Sequence, residues 1–196
     1  MNPTSTTRLP DPAPTVVVLA AGAGSRFRAA GGTTGKLQAP LAGRTVLDHV
    51  LAAVRASGLP WHLVTPTDTA HHEEQGMGTS IATGVAATPA AQGWLILPAD
   101  LPLIQPDTLR VVAHALAKYA VVMPVHAGEP GHPVGFAPQC GPDLMALRGD
   151  QGARSVVQRH GPPHRLSTDD IGCVSDVDTP ERLAQALQIL QARQAV

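Results

Sequence analysis

A short run of apolar residues, Val16-Val17-Val18-Leu19, leads directly into the small residues Ala20, Ala21 and Gly22. An uninterrupted apolar run of this kind indicates a parallel strand buried on both faces. Residues 22–36 hold five glycines, and we expect them to form a long loop. A buried strand that ends in a glycine-rich turn is typical of open α/β sheets, which bind ligands at the carboxyl ends of their strands.

The rest of the chain alternates between strand and helix patterns. Further strands are predicted at 61–64, 94–97 and 121–125, and helices at 45–58, 79–87, 106–118, 143–147, 153–160 and 179–193. The polar stretch 67–75 is predicted to be a loop. This alternation predicts a three-layer, doubly wound α/β fold with a mostly parallel sheet. We expect a single domain over 15–196, preceded by a flexible lead-in over 1–14.

Composition excludes several classes of function. The formal net charge of −1 argues against a nucleic-acid partner, which would require a basic face. No apolar run approaches the ~20 residues of a membrane-spanning helix, so no membrane association is expected. Cys140 and Cys173 show no CxxC spacing, which suits buried thiols in a cytoplasmic protein.

The glycine-rich loop is suited to binding phosphate. Gly22 and Gly24 allow backbone N–H groups to converge on phosphate oxygens, while Arg26 and Lys36 add positive charge. The loop is not a dinucleotide fingerprint, because Phe27 stands where GxGxxG requires glycine. Nor is it a Walker A loop, which would require glycine at position 30 and Ser or Thr at position 37. A purely structural turn between a strand and a helix remains an alternative.

Aspartate side chains in two other motifs are candidate metal ligands. Asp100 ends the predicted strand at 94–97, and Mg²⁺ prefers such oxygen ligands together with phosphate. Asp176 and Asp178 alternate along an extended segment, so their side chains should point the same way. The alternatives are that Asp100 caps a turn before Pro102 and that the other two acids precede a helix begun by Thr179.

Four histidines occur in sequence contexts that predict different roles. His49 lies within an amphipathic helix pattern and is predicted to be structural. The stretch His71-His72-Glu73-Glu74 could bind a metal, but adjacent side chains point apart, so a solvated loop is favoured. His132, in a Gly-His-Pro turn, is predicted to lie near the site, with a local backbone hydrogen bond as the alternative.

Taken together, these motifs resemble the molybdopterin nucleotidyltransferases of molybdenum cofactor maturation, and most closely the cytidylyltransferase branch. The resemblance rests on LAAGxGxRF, a downstream lysine, GMGxS, PADxP, GHPV and DxDTPE, in family order from Val16 to Leu190. It implies a Rossmann-like fold of the nucleotide-diphospho-sugar transferase type. Eight residues separate Phe27 from Lys36, more than the family usually has, and the segment between Val64 and Gly76 is shorter than usual.

The resemblance also implies roles for individual residues. Arg26, Lys36 and Asp100 would be catalytic, and Asp100 and Asp178 would hold Mg²⁺, with Asp176 as a third candidate. Nucleotide-binding residues would be Leu19, Ala21, Gly22, Gly24, Ser25, Gly76, Met77, Gly78 and Ser80. Acceptor-binding residues would be His132, Pro133, Asp150 and Arg154.

The implied reaction transfers CMP from CTP to the phosphate of molybdopterin, releases pyrophosphate and serves a molybdenum hydroxylase. CTP is favoured over GTP because Ala21 stands where guanylyl-transferring relatives more often carry a second glycine. Three alternatives remain open: another nucleotidyltransferase with a sugar- or polyol-phosphate acceptor, a non-catalytic cofactor-delivery chaperone, and a dinucleotide-binding oxidoreductase.

Overall fold

The computed structural model describes residues 13–22, 24–32 and 35–194, which form nine strands and eight α-helices. The strands are β1 (Thr15–Leu19), β2 (Pro40–Leu41), β3 (Arg44–Thr45), β4 (Trp61–Val64), β5 (Trp94–Pro98), β6 (Val121–His126), β7 (Glu129–Pro130), β8 (Val134–Phe136) and β9 (His164–Ser167). The helices are α1 (Ser25–Ala29), α2 (Val46–Ser57), α3 (Pro66–Thr69), α4 (Met77–Ala86), α5 (Pro106–Ala115), α6 (Gly141–Met145), α7 (Arg154–His160) and α8 (Pro180–Gln194).

Seven of these strands form one mixed, mostly parallel sheet. Its order is β4-β1-β5-β8-β6-β7, and β9 pairs with β6. Strand β1 is parallel to β4 and β5, and β6 is parallel to β9, whereas β8 runs antiparallel between β5 and β6. In the register of β1 with β5, Leu19 is opposite Pro98, so both strands end at the same edge of the sheet.

Helices cover both faces of the sheet, as the doubly wound prediction requires. Val16 and Val18 belong to the core cluster that includes residues of α2 and α5, while Val17 belongs to the cluster that includes residues of α4, α6 and α7. This division follows from the alternation of side chains along a strand. All three valines are fully buried, which confirms the two-sided burial predicted for β1.

A third apolar cluster joins the glycine-rich segment to the C-terminal helix. Phe27 of α1 packs in it with Leu41, Leu103, Val177 and Ala186 of α8. Phe27 is 3% exposed, so the segment after β1 is anchored to the core by its one large apolar side chain.

Two segments expected to be loops contain short helices. Gly24, at φ +61°, turns the chain into α1, and a 3-10 turn follows at Lys36–Gln38. Helix α3 extends into 67–75, and Thr65 and Asp68 form its capping box. Local capping and the burial of Phe27 therefore ordered stretches that composition alone marked as loops.

Other boundaries and strands also differ from prediction. Helix α4 begins at Met77, earlier than residue 79, and α5 ends at Ala115, before residue 118. The short strands β2, β3, β7, β8 and β9 were not predicted, because runs of two to four residues carry little periodicity.

Three other expectations concern residues outside the sheet. The predicted lead-in lies outside the described residues as far as residue 12. Cys140 and Cys173 are both buried, as predicted, and burial raises the pKa of each thiol to about 11. Among the described helices, none is long and apolar enough to cross a membrane.

Candidate active site

An ammonium group lies between two carboxylates at the carboxyl edge of the sheet. Lys36 Nζ donates hydrogen bonds to Asp100 Oδ2 at 2.5 Å and to Asp178 Oδ1 at 2.7 Å. The three side chains are only 14–26% exposed. The structure thus brings together three predicted site residues from distant parts of the chain.

Main-chain hydrogen bonds hold these segments against one another. Asp100 follows β5, and the preceding Ala99 N–H donates to the Leu19 carbonyl at 3.1 Å. The Asp100 carbonyl in turn accepts the N–H of Val177 at 2.9 Å, which places the next residue, Asp178, beside it. The fully buried Val177 side chain anchors that segment in the third apolar cluster.

The charge balance of this triad keeps Lys36 protonated. Burial disfavours the ammonium form, but the charge of Asp100 and the hydrogen bonds to Asp100 and Asp178 outweigh that effect. The pKa of Lys36 is therefore raised above its ordinary value. Lys36 therefore carries its positive charge at neutral pH.

The triad faces a cavity of about 530 Å³, which we call the first cavity. Its lining contains eleven of the predicted site residues: Leu19, Ala21, Gly22, Gly24, Lys36, Gly76, Met77, Ser80, Asp100, Asp150 and Asp178. Leu37, Thr69, Gln75, Pro98 and Ala99 complete it. The side chains of Ser25 and Arg26 lie outside the part of the chain that the structure describes.

Part of the lining of the first cavity comes from two segments that pack backbone to backbone. The Gly149 carbonyl accepts the N–H groups of Gly78 at 2.8 Å and Thr79 at 3.4 Å, at the start of α4. Gly76 has φ +152°, and a Cβ there would lie 2.4 Å from the Gly149 carbonyl carbon. Only glycine therefore permits this approach.

The same packing explains the places of Gly78 and Ser80. A Cβ on Gly78 would lie 2.6 Å from the Gln151 carbonyl, so this glycine serves the contact between the two segments. Ser80 lines the first cavity, and its hydroxyl donates to the Gly76 carbonyl at 2.9 Å.

A second cavity of about 410 Å³ adjoins the first, and both are lined by Leu19, Met77 and Pro98. The remaining lining is mostly apolar and comprises Ile81, Ile96, Met123, Val134, Phe136, Ala153 and Val157, together with His132 and Arg154. Helices α4 and α7 and strands β5, β6 and β8 supply most of these residues, while His132 lies just before β8 and Ala153 just before α7.

His132 is the more buried of the two polar residues, His132 and Arg154, that line the second cavity. Burial lowers the pKa of its imidazole, while the charges of Asp100 and Asp176 and a hydrogen bond to the Ile96 backbone act in the opposite direction. Its Nδ1 is buried without a hydrogen-bond partner among the described residues. The residue is therefore neutral at pH 7, with an unused ring nitrogen.

The predicted acceptor-binding residues are divided between the two cavities. His132 and Arg154 line the second cavity, whereas Asp150 lines the first. Pro133 is buried beside His132 and is absent from the lining of both cavities. The expected local contact of the Gly-His-Pro turn is also present, since the His132 N–H donates to the Cys173 carbonyl at 2.8 Å.

A divalent ion is compatible with Asp100 and Asp178. Asp100 Oδ1 is buried without a hydrogen-bond partner among the described residues, which leaves an oxygen ligand unused. The described residues contain no group of three or more metal-ligating side chains, so an ion here would need further ligands from water or substrate. Mg²⁺ commonly binds in this way, through one or two carboxylates plus phosphate oxygens.

Asp176 occupies a different place from Asp178. It precedes the buried Val177 and is not part of the first cavity's lining, and its charge acts on His132. Its role as a third metal ligand remains a prediction.

Two other histidine predictions concern residues outside both cavities. His49 Nε2 donates to the Leu41 carbonyl at 2.8 Å, which is a structural role, as predicted. Residues 71–74 are exposed, and His72 Nε2 lies 3.3 Å from Thr83 Oγ1, in keeping with the favoured solvated loop.

Sequence reasoning missed parts of both cavities. Pro98 and Ala99 lie within the recognised PADxP motif and could have been inferred from it. Thr69 and Gln75 lie in the shortened segment, where Gln75 Nε2 donates to the Thr69 and His72 carbonyls. The apolar lining of the second cavity showed no pattern that distinguishes a cavity from an ordinary core.

The chain is similar in sequence to several known proteins. The family model of the MobA-like NTP transferase domain matches residues 16–164. Purine catabolism protein PucB of Bacillus subtilis (strain 168) is 33% identical over 168 residues, which cover 77% of this chain and 81% of PucB. The bifunctional protein GlmU of Xanthobacter autotrophicus is 32% identical over 162 residues, which cover 72% of this chain but 35% of GlmU.

A solved structure shares the fold over most of the chain. Rv0371c from Mycobacterium tuberculosis H37Rv superimposes with a TM-score of 0.72 at 25% identity, covering 90% of this chain and 98% of Rv0371c. A structure of Rv0371c in complex with manganese gives a TM-score of 0.67 at 24% identity, with coverages of 90% and 98%.

Proposed function

The chain belongs to the family of MobA-like NTP transferase domains and is a nucleotidyltransferase, and we propose that it transfers CMP from CTP to the phosphate of molybdopterin. One observation carries the assignment of the reaction centre: Lys36 lies between Asp100 and Asp178 in a cavity that Gly22 and Gly24 also line. The backbone N–H groups at the glycines are suited to bind phosphate, and the paired carboxylates are suited to bind a divalent ion. The domain is proposed to span 15–196 and to work in the cytoplasm.

The first cavity is the proposed nucleotide site. Gly22 and Gly24 let backbone N–H groups approach phosphate oxygens, and Lys36 supplies a mobile positive charge. Arg26, in the short helix after this turn, is the second proposed phosphate ligand. The wall formed by Gly76, Met77 and Ser80 is the proposed contact for the base.

In the proposed reaction, a phosphate oxygen of the acceptor attacks the α-phosphorus of CTP in line with the leaving pyrophosphate. The new P–O bond forms as the bond to pyrophosphate breaks, and the acceptor phosphate is already an anion, so no general base is required. Lys36 and the loop N–H groups stabilise the charge that develops on the phosphoryl oxygens.

Asp100 and Asp178 are the proposed ligands of Mg²⁺ or a similar divalent ion. Such an ion would neutralise phosphate charge and align the triphosphate. The unused, buried Oδ1 of Asp100 and the manganese complex of Rv0371c support a divalent ion. Asp176 is the proposed third ligand of this ion.

The second cavity is the proposed acceptor site. Its apolar walls suit the flat ring system of a pterin, and the unused Nδ1 of His132 can accept a hydrogen bond from a ring N–H group. Arg154 adds a positive charge for an acidic group of the acceptor. A molybdenum hydroxylase is the proposed recipient of the product.

A second candidate is an NTP transferase with a sugar- or polyol-phosphate acceptor, as the GlmU similarity allows. The two candidates differ in what the second cavity binds. A sugar presents many hydroxyl groups, which the mostly apolar walls would leave without hydrogen bonds, and this mismatch favours the pterin.

The test is to incubate the purified protein with molybdenum cofactor, Mg²⁺ and each NTP in turn, and to identify products by mass. A cytidylylated pterin with release of pyrophosphate is expected. Parallel reactions with sugar phosphates and polyol phosphates test the second candidate. The absence of NTP-dependent turnover with every acceptor would favour a non-catalytic cofactor-delivery protein and overturn the proposal.

A further inference from the structure

The Lys36 ammonium occupies the space that a divalent ion would need. Its nitrogen is 2.5 Å from Asp100 Oδ2 and 2.7 Å from Asp178 Oδ1, and so bridges the two carboxylates. Mg²⁺ held by these two oxygens would lie at about 2.0–2.1 Å from each, and Mg²⁺ on the neighbouring unpaired Asp100 Oδ1 would still lie within a few ångströms of the ammonium. Two cations cannot share this position, because they repel strongly at such short separations.

Lys36 and a divalent ion are therefore alternative partners of the same carboxylates. The side chains of Lys36, Asp100 and Asp178 are 16%, 14% and 26% exposed, so water screens their charges incompletely. A free divalent ion must displace the ammonium, which would then lose both ion pairs.

A nucleotide changes this balance. Lys36 and the glycines of the phosphate-binding turn line the same cavity, and a lysine side chain can redirect its ammonium by rotation about its four-carbon stem. Triphosphate oxygens in that cavity would offer Lys36 a new anionic partner while supplying further ligands to the ion.

We propose that Lys36 is an internal counter-ion which keeps the nucleotide-free site closed to divalent ions, so that the ion enters together with the nucleotide. Entry of the metal–nucleotide complex moves the Lys36 ammonium from the carboxylates to the phosphates. This inference rests on the nucleotide site of the proposed function, but it requires neither CTP specificity nor a particular acceptor.

The experiment measures Mn²⁺ binding to nucleotide-free protein by electron paramagnetic resonance of the free ion. Wild type, Lys36→Met and Lys118→Met are compared; the last removes the chain's other lysine, which is exposed and follows α5. Lys36→Met should bind Mn²⁺ about 5–150-fold more tightly than wild type, the usual range for coupling between two ligands. Lys118→Met should match wild type.

Two further variants locate the effect. Lys36→Gln keeps a hydrogen-bond donor without the charge and should show the same gain, which also covers the case in which Lys36→Met does not fold. Adding Asp100→Asn to Lys36→Met should abolish the gain. If both Lys36 variants, folded by circular dichroism, bind Mn²⁺ no more tightly than wild type, the inference is overturned.

A second measurement adds a non-hydrolysable CTP analogue. The analogue should tighten Mn²⁺ binding more in wild type than in Lys36→Met, because only wild type has an ammonium to transfer to phosphate. Equal tightening in both would contradict the transfer of Lys36. A gain in nucleotide-free Lys36→Met combined with no product from any NTP would uphold this inference while the proposed function fails.

Discussion

Gly149 donates its N–H to the hydroxyl oxygen of Thr79 at 3.0 Å, across 70 residues of sequence. Thr79 is 2% exposed, and the same hydroxyl donates to the Glu74 carbonyl at 2.6 Å. One buried side chain thus ties the start of α4 to the segment before α7. Because these segments contribute to both cavities, Thr79 positions residues that the proposed function assigns to the nucleotide and to the acceptor.

Thr79→Val should lower the free energy of unfolding by about 1–3 kcal/mol, because it leaves the Gly149 N–H and the Glu74 carbonyl without their part-buried hydrogen bonds. It should also raise the KM for nucleotide. Thr79→Ser keeps the hydroxyl and is the matched control. Urea unfolding and steady-state kinetics measure the two effects, and equal stability of the valine and serine variants would contradict the assigned hydrogen bonds.

Asp100→Asn should abolish turnover while the protein remains folded, because the amide cannot replace the charge at the reaction centre. Asp107→Asn, at an exposed position on α5 where Asp107 pairs only with Arg110 among the described residues, is the control and should retain activity. Rates in Mg²⁺ and thermal melting curves check both. Near-normal activity of folded Asp100→Asn would refute its role as a metal ligand.

Lys36→Ala should lower turnover by roughly 10²–10³-fold, the loss expected when one preorganised contact to the transition state is removed. Lys118→Ala controls for the loss of a lysine elsewhere. Single-turnover rates at saturating nucleotide are the measurement. A decrease of less than a few-fold would mean that phosphate recognition depends on Arg26 and the backbone alone.

Wild-type protein should show a larger kcat/KM for CTP than for GTP, and Ala21→Gly should reduce the ratio by enlarging the first cavity near the base. If the cavity discriminates by size alone, the wild-type ratio should be about 10–200. Steady-state rates with each nucleotide at equal concentration provide the test. A wild-type preference for GTP would overturn the assignment of CTP.

Acid should destabilise the protein through His132. Burial depresses the pKa of this ring in the folded state, so the unfolded state binds a proton more readily. The contribution of His132 to stability is complete above about pH 6.5, the ordinary pKa of histidine, and falls as the pH drops below that value.

Unfolding free energies of wild type and His132→Gln, measured between pH 5 and 8, test this assignment. Below about pH 6.5, wild type should lose stability with a steeper slope than the variant, since glutamine does not titrate. Parallel slopes would show that His132 is not the group responsible.

The sequence by itself determined the class of the fold and the main parts of the site. The uninterrupted apolar run of Val16 to Leu19 predicted a strand covered on both faces, and the burial of Val16, Val17 and Val18 confirms this. The apolar run at 94–97 likewise predicted a strand, and Asp100 was placed at its carboxyl end. A strand and the residue that follows it are determined by residues adjacent in sequence, so the sequence alone is sufficient to predict them.

Only the tertiary structure decided which residues meet. Lys36 lies 64 residues from Asp100 and 142 from Asp178, and long-range packing of α1, β5 and the segment before α8 brings them into one triad. The second cavity could not be anticipated, because an apolar wall and an apolar core have the same sequence pattern. A cavity is a gap left by the packing of several elements, and it has no signature in any one of them.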